Sequence, residues 1–259
     1  MKRSTSSAVT ERNSPVVERI KQLKSEHPFW GYRRIWAHLK YVDSLEVNKK
    51  RIFRLMQNNS LLVKPDTRLK ALRTPGRSKP RPTRPCEWWG IDMTKVMVKD
   101  FGWMYIVVLL DWYTKKIVGY YAGIECRSRH WLEALNNAVN AEFPDGVKGR
   151  ELFLMSDNGS QPTSVAFMKS CRGMGLKQAF TSYGNPKGNA DTERVFRTMK
   201  EELLWLREWH SPFELVDSLG KWVESYDGSY LRSSLGYKSP EQFEKEYQNR
   251  QIILLVRTC

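Results

Sequence analysis

The 259-residue sequence predicts an α/β domain on a mixed five-stranded sheet, preceded by a small all-α module of helix-turn-helix type. Three observations carry that reading. Apolar residues recur at helical spacing up to about residue 63 and at strand spacing from about residue 88. A stretch dense in proline and basic residues separates the two regions. After residue 88 three strand patterns come first, and helices then alternate with strands, the order of a mixed sheet.

Charge divides the chain at the same place. The net charge is +15, yet residues 1–90 hold 21 Lys/Arg against 7 Asp/Glu, and the remainder holds 22 against 21. A basic module joined to a nearly neutral domain points to a polyanionic partner, nucleic acid above all. No apolar run suits a membrane span, and no signal-peptide pattern opens the chain, so a cytoplasmic protein is expected. Cys86, Cys126, Cys171 and Cys259 show no C-x-x-C spacing and read as reduced thiols. The four histidines do not cluster as zinc ligands.

Taken in order, residues 1–13 are polar and read as a flexible N-terminus. Residues 14–63 form the helix-turn-helix-like domain. Ser14 caps its first helix with Pro15 at the first helical position, and Val16, Val17, Ile20 and Leu23 make the apolar stripe. Gly31-Tyr32 opens a second helix, with Ile35, Trp36 and Leu39 inward and Arg33 and Arg34 nearby. Asn48 caps a third over 49–57, with Ile52, Leu55 and Met56 inward and Lys49, Lys50, Arg51 and Arg54 on its other faces. Those cations and the two arginines are the expected DNA contacts of this module. Residues 64–86 are a basic, Pro-rich linker that suits a phosphate backbone or a plain solvated spacer.

Residues 87–248 form the α/β domain. Strands are expected at 88–98, 103–110 and 116–122, a helix at 128–142, a strand at 152–155, a helix at 164–173 and a strand at 177–181. A long helix over 188–208 and helices at 212–226 and 239–248 follow, and residues 249–259 are a tail with the apolar run Ile252–Val256.

Three carboxylates stand out in this domain. Asp92 lies in the first strand, on the face opposite Ile91 and Met93. Asp157 ends an apolar strand and opens the turn Asn158-Gly159, and Glu193 lies in the first turns of the long helix. Hard oxygen ligands from a strand, a strand end and a helix suit two Mg²⁺ or Mn²⁺ ions about 4 Å apart, with Asp92 as bridging ligand, for in-line displacement at phosphorus. The spacing of two acids alone is a weak signal. Asp111 competes but sits in an Asp-Trp-Tyr-Thr turn context. Asp191 falls about 200° round the helix from Glu193. Arg197 and Lys200 share roughly the face of Glu193 and suit a duplex along the helix, although Glu193–Arg197 also reads as an ordinary i,i+4 pair.

Trp89-Gly90-Ile91-Asp92-Met93-Thr94, Ser156-Asp157-Asn158-Gly159-Ser160, the run from Gly184-Asn185-Pro186 through Asn189-Ala190 to Glu193 and Lys200, and Ser233-Ser234-Leu235-Gly236-Tyr237-Lys238-Ser239-Pro240 together make a recognisable set. With His27-Pro28, Gly31–Ile35 and Asn48–Arg51 upstream, the chain resembles the second-frame transposases of the IS-three family, of the retroviral-integrase-like DDE group. The resemblance implies a ribonuclease-H-like core and metal-dependent DNA cleavage and strand transfer at element ends. It implies Asp92, Asp157 and Glu193 as catalytic triad and ligands of two Mg²⁺, with Mn²⁺ able to substitute. It further implies Lys200 on the element's end DNA, double-stranded DNA as substrate, action as an oligomer on DNA, and a first-frame protein with a helix-turn-helix and leucine zipper as fusion partner. No zipper-like heptad run opens the chain, which therefore reads as the second frame alone. The pattern departs from the family at Lys187-Gly188 (usually Tyr-Asp), at Asp227 (usually Asn) and at Tyr230-Leu231-Arg232 (usually Arg-Pro-His). Two other readings stand beside it: a catalytically impaired DNA-binding remnant or regulator, and a nuclease acting on RNA–DNA hybrids.

Overall fold

A computed structural model describes residues 7–63, 80–181 and 186–258. The chain divides into two units, Met1–Arg73 and Thr74–Cys259. Residues 1–6 of the expected N-terminus, 64–79 of the expected linker and 182–185 of the Gly-Asn-Pro loop lie outside the described residues.

The first unit holds three helices: α1 (Ser7–Glu26), α2 (Tyr32–Tyr41) and α3 (Lys49–Asn58). Ile20 and Leu23 of α1, Ile35 and Leu39 of α2, and Ile52 and Met56 of α3 are buried, so each apolar stripe read from the sequence faces inward. Asn48 caps α3, its side chain accepting from the Lys50 N–H at 2.8 Å. The Trp36 indole donates to the Val47 carbonyl at 2.8 Å. Arg19 grips Asp43 with two bonds of 2.8 and 2.9 Å, tying α1 to the turn after α2. The expected start at Ser14-Pro15 is corrected. Helix α1 already runs from Ser7, and Pro15 lies inside it. Proline removes one helical hydrogen bond, at about 3 kcal/mol in a helix interior. No glycine or proline interrupts Ala8–Asn13, however, and Arg51 of α3 clamps that turn. Its guanidinium donates to Asn13 Oδ1 at 3.0 and 2.8 Å and to the Arg12 carbonyl at 3.3 Å.

The second unit is built on a five-stranded sheet: β1 (Trp88–Val98), β2 (Gly102–Asp111), β3 (Ile117–Gly123), β4 (Phe153–Ser156) and β5 (Lys177–Phe180), in the order β3-β2-β1-β4-β5. The first three strands form an antiparallel meander, and β4 and β5 add in parallel. Helices α4 (Ser128–Glu142) and α5 (Val165–Met174) cover one face, against Trp89, Ile91, Val107 and Leu109. Helices α6 (Ala190–Met199) and α7 (Pro212–Ser229) cover the other, against Val98, Ile106, Val108 and Leu110. Alternation along the strands sorts the two sets, as the period-two pattern requires. Helix α8 (Pro240–Thr258) closes the chain, with Ser239 and Gln242 exchanging side-chain and backbone bonds at its start.

Two expected helices differ in extent. The single helix over 188–208 is instead a 3₁₀ turn (Pro186–Asn189), α6 and a π-helical segment (Lys200–Leu204). In that segment the Trp205 N–H reaches the Lys200 carbonyl, five residues back, at 2.9 Å. Helix α8 runs through residues 249–258, expected as a tail, because no glycine or proline breaks it.

Asp111 is structural. It is buried at the end of β2 and accepts from the N–H groups of Cys86, Tyr113 and Thr114 and from the Thr114 hydroxyl. Asp227 of α7 is also buried, and its Oδ1 accepts from the Ile117 N–H at 2.9 Å. Burial raises its pKa to about 8, with the Ile117 bond and Lys116 opposing and Glu241 and Glu244 adding to the rise. The unfolded value is about 3.9, so between that pH and about 8 the folded state holds the extra proton. Stability from this group is greatest below about pH 4 and falls as pH rises towards 8. Asp227→Asn keeps the acceptor without the charge. Thermal melts between pH 5 and 8 are expected to show wild type losing stability relative to this variant, by on the order of a few kcal/mol.

Candidate active site

The register of the sheet brings two of the three acids level. Gly90 of β1 pairs with Met155 of β4 in parallel, and Asp92 and Asp157 each lie two residues further on. Asp92 therefore leaves the sheet on the face that α6 covers, and Asp157 stands just past the end of β4. Asp92 Oδ1 accepts from the Met93 N–H at 2.8 Å, and Asp157 Oδ1 from the Gly159 N–H at 3.0 Å. Glu193 is the fourth residue of α6, exposed beside Val195, Phe196 and Met199, which pack into the core.

Electrostatics shows that these groups share one neighbourhood. Asp92 is raised to about 6, first by burial; the Met93 N–H opposes this, the charges of Asp157 and Glu193 add to it, and Lys200 lowers it. Asp92 thus lies within the field of Asp157, Glu193 and Lys200. Among the described residues no three His, Cys, Asp or Glu side chains are gathered closely enough to hold a metal ion as they stand. The donor set itself, a largely buried Asp92 on which the charges of two exposed carboxylates act, suits a hard divalent cation that would relieve that repulsion.

The start of α6 is pinned to β1 by residues that the sequence reading did not single out. Asn189, buried at the N-cap of α6, donates from Nδ2 to the Ile91 carbonyl at 3.2 Å. Thr192, also buried, accepts from the Trp112 indole at 3.4 Å. Asp191 takes Lys115 at 2.7 Å. Gly90 makes this seat possible. A Cβ there would stand 2.6 Å from Asn189 Oδ1 and closer still to Thr192 Oγ1 and the Trp112 nitrogen. A glycine inside a strongly apolar strand was the available signal for such a close approach.

The departures from the family pattern are built into the same region. Gly188 abuts Thr181, whose Cγ2 would lie 2.6 Å from an added Cβ. Arg232 donates to the Tyr226 hydroxyl, which donates to the Lys115 carbonyl at 3.2 Å. Lys115 in turn holds Asp191, so the altered segment supports the first turn of α6.

The expected DNA contacts fall in separate places. Lys200 is half-buried beside the acids, and Arg197 is exposed and pairs with Glu201 at 2.8 Å. Lys49, Lys50 and Arg54, with Tyr32 and Phe53, line a hollow of about 370 Å³ on the first unit. Arg33 and Arg34 lie near the rings of Tyr32 and Trp30. Arg51 is turned onto α1 by its bonds to Asn13 and Arg12.

Sheet order, register and an acidic centre at the β1–β4–α6 junction define an integrase-type polynucleotidyl transferase core behind a helix-turn-helix-like domain. Comparisons with known proteins agree. Two families described as Integrase core domain match residues 82–186 and 174–240, and one described as HTH-like domain matches 11–68. The transposase for insertion sequence element IS904 of Lactococcus lactis subsp. lactis (strain IL1403) is 30% identical over 240 residues, covering 88% of this chain and 92% of its own length. That for IS629 of Shigella sonnei is 26% identical over 251 residues, covering 93% and 82%. A simian T-cell lymphotropic virus intasome structure shares the fold, with a TM-score of 0.51 at 14% identity over 87% of this chain and 74% of that one. The chain belongs to the insertion-sequence transposases, as the resemblance to the IS-three family implied. None of the helices among the described residues is long and apolar enough to cross a membrane.

Proposed function

We propose that this chain cleaves and joins DNA strands at the ends of its own insertion element, with Asp92, Asp157 and Glu193 holding two Mg²⁺ ions for which Mn²⁺ can substitute. The observation that carries this is that Asp157 past the end of β4, Glu193 of α6 and Lys200 directly after α6 all act on Asp92 of β1. When bound, the ions would activate the attacking hydroxyl and stabilise the leaving oxygen. Asp92 would be the shared ligand, and Asp157 and Glu193 would each complete one site. Lys200 and Arg197 set the phosphate backbone beside these acids. Asn189, Thr192 and Asp191 act at one remove, by fixing where Glu193 stands.

In the first unit, Lys49, Lys50 and Arg54 contact double-stranded DNA with Arg33 and Arg34 beside them, while Arg51 positions α3 against α1. Lys50→Ala and Arg54→Ala are expected to weaken end binding together and to flatten its salt dependence by about 0.9 log unit per lost phosphate contact. Filter binding across a salt series reads this directly, and an unchanged slope places the contacts elsewhere.

Oligomers on DNA and a first-frame partner with a zipper belong to the same proposal. Its test is joining of labelled element ends by the chain, alone and fused to the first-frame product, with Mg²⁺, Mn²⁺ or EDTA. Metal-dependent joining supports it. Salt-sensitive binding with no cleavage in either form identifies a DNA-binding remnant instead.

A further inference from the structure

Beyond the acidic centre, the end of β1, the start of β2 and the segment after α6 enclose a groove of about 780 Å³. Lys200 belongs to both places: it lines the groove and lies in the field of Asp92. Lys95, Lys99 and Arg207 line it as well, against Glu208 as the acid among the lining residues. The groove is therefore cationic and shares Lys200 with the surroundings of Asp92.

Its walls are also aromatic. Trp103 is 44% exposed and already carries a cation, the Lys95 ammonium 4.3 Å from its ring centre. Trp209 is buried, with the Arg207 guanidinium 4.3 Å over its ring and its carbonyl accepting from the Lys99 N–H at 2.8 Å. Trp205 differs from both, being 64% exposed and directly after the π-helical segment. An extra residue in a helical turn re-aims the side chains beyond it, and π segments gather at functional sites. A large exposed aromatic at the mouth of a basic groove is the combination by which proteins hold unpaired nucleic acid, with cations on the phosphates and a ring under a base.

We infer that this groove binds single-stranded DNA leaving the acidic centre, with an unpaired base stacked on Trp205 and the strand's phosphates met by Lys95 and Lys99. The inference rests on the reading of the chain as an enzyme acting on DNA ends, and adds to it a subsite for a strand separated from its complement. Four cations against one acid favour a polyanion here over a second copy of this basic chain, the other candidate to cover an exposed tryptophan.

The test uses the full chain in EDTA, with a blunt element-end duplex and the same duplex carrying a short single-stranded tail that contains 2-aminopurine. Wild type is expected to bind the tailed form more tightly and to quench its fluorescence. Trp205→Ala is expected to weaken tailed binding by about tenfold and to relieve the quench, with blunt binding within twofold of wild type. Trp205→Phe keeps most of both, which separates stacking from a folding defect. Lys95→Gln and Lys99→Gln are expected to lower the salt slope for the tailed form by about 0.7 each. The inference is overturned if wild type does not distinguish the two duplexes, if Trp205→Ala weakens both alike, or if it lowers the molar mass by light scattering while tailed binding is kept. Failure of both the chain and its first-frame fusion to bind either DNA defeats the reading of the chain as an end-processing enzyme and this subsite with it, whereas blunt binding alone leaves that reading standing.

Discussion

Asp92→Asn is expected to remove metal-dependent joining of element ends while leaving the protein folded and bound to DNA. The loss should exceed the roughly 100-fold that results from removing a partner of a metal ligand, because Asp92 is proposed as the shared ligand itself. Asparagine has the same shape and keeps an acceptor for the Met93 N–H. It also removes a charge that burial and the fields of Asp157 and Glu193 disfavour, so the thermal midpoint is expected to hold or rise. Activity and stability should therefore move apart. Joining at the wild-type rate would show that the acids do not act as assigned, and a lower midpoint with proportionate loss of activity would show a structural role.

Gly90→Val tests the other half of the arrangement, the seat of α6 on β1. Every path for the new side chain runs into Asn189, Thr192 or Trp112. All three are buried or packed, so α6 must lift or the strand must shift, and overpacking of this kind costs about 1–3 kcal/mol or more. Because Glu193 is one residue beyond Thr192, the shift carries that carboxylate away from Asp92. Loss of joining by about 100-fold or more, with the first unit still binding DNA, is the expected result of measuring both. Gly90→Val at wild-type activity would mean that the junction adapts and does not position Glu193.

The strands were legible because Val, Ile, Leu and Trp at period two leave little choice of register, and β1 to β5 agree with the expected spans to within about a residue at most ends. Asp92 and Asp157 were legible as candidates from strand and strand-end context. Asp111 was separable from them because its neighbours make a turn, and its carboxylate indeed serves that turn. What could not be read depends on contacts distant in sequence. Asn189 meets a carbonyl 98 residues away, and nothing local marks it as the anchor of α6. Arg51 looked like its basic neighbours until α1 extended upstream of Pro15 and supplied Asn13 as a partner. The π segment is a change of hydrogen-bond register within an unbroken helical composition, so the pattern of apolar residues carries no trace of it.

Three carboxylates from β1, the end of β4 and α6 are proposed to form one divalent-cation centre. Anomalous diffraction from crystals of the chain with a bound element end and Mn²⁺ tests it most directly. The result expected is Mn²⁺ density touching Asp92, with Asp157 and Glu193 each completing a site. Mn²⁺ ordered on other side chains while these three carboxylates stay apart from it would contradict the claim.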